Sequence, residues 1–423
     1  MLSREENETL TRTGPGTLGG ELIRRYWMPA LLSSELPESD GTPVRVRLLG
    51  EDLVAFRDST GVVGLLEEGC PHRRASLALG VNEESGIRCL YHGYKYDVDG
   101  RCVDTPTEPA SSHFSAKIKA KAYPVIERAG VLWTYMGPAG SRPPLPDFAF
   151  FDLPEGNAVP FKTVEECNYA QAVEGAIDSA HAGALHRRTP WEQGNEAAAL
   201  TRDLAPRLEV EYTKYGFRYG AIRNLDEQTI HVRITQMMLP FWTIIPPTGK
   251  GLGQRAGRSA NRRLANAFVP RDDYSTWHFQ YLFDDEEQID VDFRVNEGGH
   301  WYEPGTFRKV RNIDNWYMQD REAMRGRTTF SGIDGIMTQD HAVNETQGAI
   351  LDRTTEHLGT SDIAVIAWRR LMLRAMQDLS DGVAPTAQGA GMPLGDVTSD
   401  TIEVVVPTSW KDVVPLPPEF AAS

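Results

Sequence analysis

Two short turns constrain this chain more than any other feature: Cys70-Pro71-His72-Arg73-Arg74-Ala75, then Cys89-Leu90-Tyr91-His92-Gly93. Each places one thiol and one imidazole within two or three residues of each other. Spacing so tight, beside Pro71 and Gly93, suits loops at hairpin tips rather than helices. Thiolates and imidazoles together admit zinc or an iron–sulfur cluster. Structural zinc is the plainer alternative, but zinc fingers usually pair Cys with Cys and His with His in each arm. Here each turn contributes one of each. That suits a two-iron cluster in which one iron takes Cys70 and Cys89 and the other takes His72 and His92. Neutral imidazoles in place of anionic thiolates raise the potential of such a cluster above that of an all-thiolate ferredoxin.

The chain has 423 residues, enough for two or three domains with a sizeable core. No apolar run approaches the roughly 18 residues a membrane span needs. The start, MLSREENETL, has acids where a secretory signal has a basic head, which predicts a soluble, cytoplasmic chain. A net charge of -15, with only a loose basic scatter at 255–263, argues against a nucleic-acid partner. Four Cys make no disulfide framework, and the isolated Cys102 and Cys167 read as small buried hydrophobes.

Between about residues 43 and 137 the pattern is of short strands: VRVRLLG, DLVAFRD, GVVGLLE, then two more around the Arg-Ala-Gly turn of KAYPVIERAGVLWTYMG. The Pro- and Gly-dense stretch GPAGSRPPLPDF at 137–148 predicts a boundary. Beyond it, helical spacing over 168–181 precedes long alternating runs at 207–247 and 265–284. Helices are expected at about 312–326, 338–357 and 362–379, and the last forty residues read as a wrapping tail. The expected organisation is an N-terminal segment (1–24) packing on the larger domain, a small all-β domain (25–140), and an α+β domain with a long twisted sheet (141–423).

The larger domain carries a second donor set. On a helix Asp178 and His181 share a face, whereas His186 would lie about 140° round from His181. Both imidazoles can meet one metal if the helix ends or bulges, and Ala182-Gly183-Ala184 is the expected place. Two His and one carboxylate with open positions make the usual non-haem Fe(II) oxygenase site. The candidate carboxylate is Asp340, in GIDGIMTQDHAVNETQG, with Glu345 as its rival.

CPHRRA followed by RCLYHGYKYDVDGRC resembles the Rieske domain of aromatic-ring-hydroxylating oxygenases, with Tyr94 where those proteins more often carry Trp. The motif Asp-x-x-His-x-x-x-x-His, the later Gln-Asp-x-x-x-x-Glu-x-x-Gly and DRTTEHLGTSD extend the resemblance over nearly the whole chain, to the phthalate-dioxygenase branch. It implies a helix-grip, START-like catalytic domain and a mononuclear Fe(II) held by His181, His186 and Asp340. Asp178 matches the carboxylate that bridges the two centres, by hydrogen bonds to a ring N–H on each side, between neighbouring subunits. A homotrimer or a stack of two trimers is thereby implied. Asn168 matches an Asn near the iron, or is simply a helix N-cap.

The activity implied is cis-dihydroxylation of an aromatic ring with dioxygen and NADH-derived electrons. The chain has no GxGxxG after a strand and no plant-type ferredoxin spacing, so a separate flavin–ferredoxin reductase is implied. This branch favours aromatic carboxylates, for which Arg207 is the expected anchor, with Ser179 as a hydrogen-bond donor. The stretch LPFWTIIPP at 239–247 offers no second cation, which favours a benzoate-type monocarboxylate over phthalate. A monooxygenase or O-dealkylase would use identical ligands. A non-enzymatic electron carrier or zinc-stabilised module is the more distant alternative.

Overall fold

The computed structural model describes residues 1–186, 200, 203–246, 262–303, 305–386 and 392–422. Pro247 and the basic scatter at 255–261 lie outside the described residues. The chain divides into two compact units. One comprises Thr13–Pro143 and Pro270–Asp272; the other comprises Met1–Arg12, Pro144–Val269 and Asp273–Ser423. The expected N-terminal segment 1–24 is therefore split after Arg12, and residues 13–24 go with the smaller unit.

The smaller unit is built from three antiparallel sheets of three, four and four strands. The strands Val44–Leu48, Glu51–Arg57 and Val63–Glu67 pair in succession, and Val125–Arg128 returns as Val131–Tyr135. That return uses left-handed conformations at Ala129 and Gly130. A two-residue turn with both φ positive matches the right-handed twist of a hairpin.

In the larger unit a sheet has the order Ala158–Glu165, Ser275–Phe283, Arg263–Asp272, Trp242–Ile245, Thr229–Met238, Gly216–Asn224, Arg207–Thr213. Consecutive strands from 207 to 245 pair as antiparallel neighbours. The helices Tyr169–Ile177, Ile336–Glu345 and Ile363–Ser380 belong to the same unit. No described helix is long and apolar enough to cross a membrane.

Three expected elements differ. The helix expected over 338–357 stops at Glu345, where Thr346 Oγ1 bonds back to the Ala342 carbonyl and Gly348 takes φ +98°. The stretch 312–326 is interrupted by left-handed residues at Trp316, Tyr317 and Met318. The tail packs rather than wraps: Asp400–Val405 pairs with Thr229–Met238, and Trp410 and Phe420 are buried. Apolar side chains that periodicity over so short a run leaves ambiguous are claimed by the sheet.

Candidate metal centres and substrate cavity

Both cysteine–histidine turns sit at hairpin tips. The first is closed by Cys70 N to Ala75 O (2.8 Å) and Arg74 N to Cys70 O (2.8 Å). The second joins the paired strands Gly86–Arg88 and Lys95–Tyr96 and is closed by Cys89 N to Tyr94 O (2.9 Å). Gly93 there takes φ +76°, a conformation open to glycine at no steric cost. Cys70 and Cys89 are buried, unbridged thiols in an apolar cluster with Val54, Phe56, Leu66 and Ile87. His72 and His92 are half-buried, with ring centroids 4.4 Å apart.

The two turns thus present thiols inward and imidazoles outward. The Nδ1 of His92 is buried with no partner among the described residues, and burial pushes the Cys89 thiol up. A lone imidazole nitrogen facing another ring beside two buried thiols fits a metal cluster better than an apolar core. Tyr94 stacks on His72 (4.5 Å, 21°) and donates to Glu108 Oε1 (3.0 Å), so its ring packs on a candidate ligand while its hydroxyl is satisfied elsewhere.

The second donor set is assembled where a helix stops. Asn168 caps Tyr169–Ile177, and Asp178 ends it in extended conformation; a separate short helix, His181–Leu185, follows. The break therefore falls at residues 178–180, before the expected Ala182-Gly183-Ala184. Side chains from the sheet hold it there: Tyr219 donates to the Ile177 carbonyl (2.8 Å), and Arg223 Nη2 to the Ser179 carbonyl (2.7 Å). His186 ends the short helix, which lets the two imidazoles turn toward each other.

His181 Nε2 and His186 Nε2 lie 3.2 Å apart, and Asp340 Oδ1 lies 3.5 Å from the first and 3.0 Å from the second. Donors on adjacent corners of an octahedron, each about 2.1 Å from a metal, stand roughly 3 Å apart. Asp340 Oδ1 is buried with no hydrogen-bond partner among the described residues. Burial would raise the Asp340 carboxyl, but His186 and His181 hold it at about 2. Around the set, His186 Nδ1 donates to Gln339 Oε1 (2.8 Å), whose amide is oriented by the Ile333 carbonyl (2.8 Å). That leaves the His186 Nε2 lone pair free to coordinate. Asp178 Oδ2 is 3.7 Å from His181 Nδ1, while its Oδ1 accepts from the Ala180 amide (2.8 Å). Burial opposes ionisation of Asp178, yet these contacts carry its carboxyl below the usual range. The rival Glu345 stands apart from the two imidazoles, accepting from the Glu166 amide and the Tyr317 hydroxyl.

The triad opens onto a cavity of about 280 Å³ whose walls include Ala172, Leu264, Phe268 and Met337. Ser179 lines it. Arg207 does not: its side chain is 67% exposed and ion-paired with Glu209. It occupies an outward position at the end of an edge strand. Asn168 is fully buried and spent on structure, its amide donating to the carbonyls of Thr11 (2.8 Å) and Asp273 (2.7 Å). It does not line the cavity. The cations that do are Arg233, Arg262 and Arg263, on or beside sheet strands. The sequence offers Arg262 and Arg263 only as the end of a loose basic scatter and leaves Arg233 unremarked, although an Arg inside the apolar run TIHVRITQMM is itself a sign of a functional interior. A second His–His–carboxylate group, Glu165, His278 and His341, also lines the cavity.

Comparison with known proteins bears on what the two donor sets are for. Residues 26–124 match the Rieske [2Fe-2S] domain, and residues 134–413 match the family described as LigXa C-terminal domain like. The chain is 38% identical to the phthalate 4,5-dioxygenase oxygenase subunit of Pseudomonas putida, over 97% of this chain and 94% of that one. The chain is a Rieske oxygenase.

Other relatives of this oxygenase differ in chemistry. It is 34% identical to the 3-chlorobenzoate-3,4-dioxygenase oxygenase subunit of Comamonas testosteroni, over 89% of each chain. It is equally 34% identical to the 5,5'-dehydrodivanillate O-demethylase oxygenase subunit of Sphingobium sp., over 92% of this chain and 83% of that one. In fold it resembles the crystal structure of dicamba monooxygenase bound to dicamba, with a TM-score of 0.60 at 20% identity, over 85% of this chain and 99% of that one. An oxygenase of this family carries a Rieske [2Fe-2S] cluster and a mononuclear iron, and the oxygenase is accordingly one component of a multi-component system.

Proposed function

We propose that this oxygenase holds its cluster at Cys70, His72, Cys89 and His92 and its mononuclear ferrous ion at His181, His186 and Asp340, and oxygenates an aromatic carboxylate. The carrying observation is the convergence of Nε2, Nε2 and Oδ1 at 3.0–3.5 Å on a cavity lined by arginines. When bound, a ferrous ion with two imidazoles and one carboxylate keeps positions for dioxygen, and the cluster supplies electrons singly. Gln339 holds His186 in the tautomer whose Nε2 can coordinate, and the Asp178 carboxylate, 3.7 Å from His181 Nδ1, favours a proton there electrostatically. In the family resemblance Asp178 also faces a cluster imidazole of a neighbouring subunit, which favours a trimer or two stacked trimers. The exposed Leu90 and Tyr91 at the tip of the second ligand turn suit such docking.

The substrate side rests on Arg233 and Arg262. The guanidinium of Arg262 has two buried nitrogens, Nε and Nη1, without a hydrogen-bond partner among the described residues. An apolar cavity with a guanidinium in its wall suits a flat ring bearing a carboxylate. Arg233 and Arg262 both line the cavity, so the second cation that 239–247 lacks is present there, and phthalate-type and benzoate-type substrates both fit. The product is a cis-dihydrodiol, and electrons come from NADH through a separate flavin–ferredoxin reductase. O-demethylation is the second reading, favoured by the similarity to the O-demethylase subunit.

The test is a screen of aromatic carboxylates with purified oxygenase, a reductase and NADH, read by oxygen uptake and product mass under isotopically labelled dioxygen. Two labels in a diol support the reading. An unlabelled phenol, with the alkyl group lost as an aldehyde that carries one label, replaces it with O-dealkylation. No uptake with any aromatic acid overturns the substrate class.

A further inference from the structure

We infer that the oxygenase has a second metal site, in which Glu165, His278 and His341 hold a divalent ion of the zinc class. The three residues come from separate elements: the end of the strand Ala158–Glu165, the strand Ser275–Phe283 and the helix Ile336–Glu345. Successive residues of a helix point about 100° apart. One turn can therefore present Asp340 to the first triad and its neighbour His341 to the second.

Three separations among the same three atoms define the site. His278 Nδ1 is 3.3 Å from His341 Nε2, and Glu165 Oε2 is 3.9 Å from the first and 3.7 Å from the second. A triangle with these sides has a centre about 2.1 Å from every corner, within the usual range of zinc–imidazole and zinc–carboxylate bonds. The two salt-bridge separations are too long for direct hydrogen bonds, so Glu165 gains no donor from either ring.

Two of the three donors are also held from behind. Gln280 Nε2 donates to Asn266 Oδ1 (2.9 Å), and Asn266 Nδ2 donates to Thr243 Oγ1 (3.2 Å), which fixes the Asn266 amide. His278 Nε2, 3.0 Å from Asn266 Oδ1, must therefore be the donor, and its Nδ1 lone pair faces the centre. Glu165 Oε1 accepts from Asn344 Nδ2 (2.9 Å), while the Nδ1 of His341 lies beyond hydrogen-bond reach of Glu345 Oε1, at 3.8 Å. Outer partners of this kind orient metal-binding imidazoles and carboxylates. The remaining oxygen, Glu165 Oε2, is 1% exposed by residue side chain and has no partner among the described residues. A bare carboxylate oxygen in such a place is costly unless a proton or a cation meets it, and two imidazole nitrogens converging on it suit a cation. Two imidazoles and one glutamate, with the cavity supplying water as a fourth donor, are a known zinc set.

The inference does not depend on the substrate reading, and metal content tests it on the iron-loaded oxygenase. After equilibration with Zn2+ and gel filtration, one zinc per chain is expected in addition to the iron. Glu165→Gln and His278→Asn should each lose that zinc while keeping iron content and the visible absorption of the cluster. Co2+ in place of zinc should give ligand-field bands that vanish in the same variants. His181→Ala should keep the zinc. Zinc-edge X-ray absorption of the unaltered protein, which needs no variant to fold, should show two imidazoles and oxygen donors. The inference falls if the protein retains no zinc, if zinc survives in both variants, if it leaves with His181→Ala, or if sulfur is among its donors.

Discussion

The hairpin tips of the smaller unit and the triad of the larger one, the two donor sets proposed for iron, are gathered over very different chain distances. All four donors of the tips lie between residues 70 and 92, on turns closed by their own backbone bonds. The triad needs Asp340 brought to His181 and His186 across more than 150 residues, at the point where a helix is stopped by Tyr219 and Arg223 of the sheet. Behind that helix stands a buried ion network in which Arg353 and Arg369 both bond Glu174, and Arg369 also bonds Glu356. A locally built site is robust to distant change, whereas a globally built one inherits every weakness of its framework.

The largest expected effect separates the two sites outright. Asp340→Ala should lose the mononuclear iron and bring turnover to background, with the cluster absorption intact. Bleaching of the cluster in that variant would break the contrast. Next is the framework: Glu174→Gln leaves two guanidinium groups against an uncharged amide and should destabilise by about 3–5 kcal/mol. Burial would raise the Glu174 carboxyl, but Arg353 and Arg369 bring it below its ordinary 4.5. A depressed folded value means stability present at neutral pH and lost as pH falls through that value. The melting-temperature gap between wild type and variant should therefore close progressively below about pH 4.5. A gap constant down to strong acid would show that Glu174 is not held ionised.

Asp178→Asn should retain both metals while turnover falls about 100-fold, as when an outer partner of a ligand is lost. Retained single-turnover rates would contradict its bridging role. Arg262→Gln should raise KM for an aromatic carboxylate about 10-fold with kcat nearly unchanged, the loss of one charge-assisted hydrogen bond. A fall in kcat alone would place Arg262 elsewhere in the cycle. The smallest effect is expected at Arg207→Ala, an exposed ion pair, which should alter KM not at all and stability by less than about 0.5 kcal/mol.

Legibility in the sequence follows the same division. The ligand turns can be read directly because spacing alone determines which residues share a loop. His181, His186 and Asp340 are recognisable as a set through motif resemblance, not through periodicity, which by itself leaves His186 on the wrong side of a helix. The position of the break is not legible, since it is decided by Tyr219 and Arg223 from one strand forty residues on. Arg207 and Asn168 mislead for a common reason: residue type suggests a role, but one faces outward from an edge strand and the other is consumed by backbone carbonyls. Arg233, Arg262 and the Glu165 group leave no spacing pattern, because each reaches the cavity from a different strand or helix.

The chain's first dozen residues have a consequence for how it is made. Leu10 and Thr11 accept from Tyr169 and Asn168, and Asn7 exchanges bonds with Leu351 and Arg353. During synthesis residues 7–11 must wait for residues 351–353 before they can settle, while residues 13–143 between them can collapse first. Deletion of residues 1–12 should thus injure the oxygen-handling half of the protein during biogenesis and leave the electron-carrying half to mature unaided.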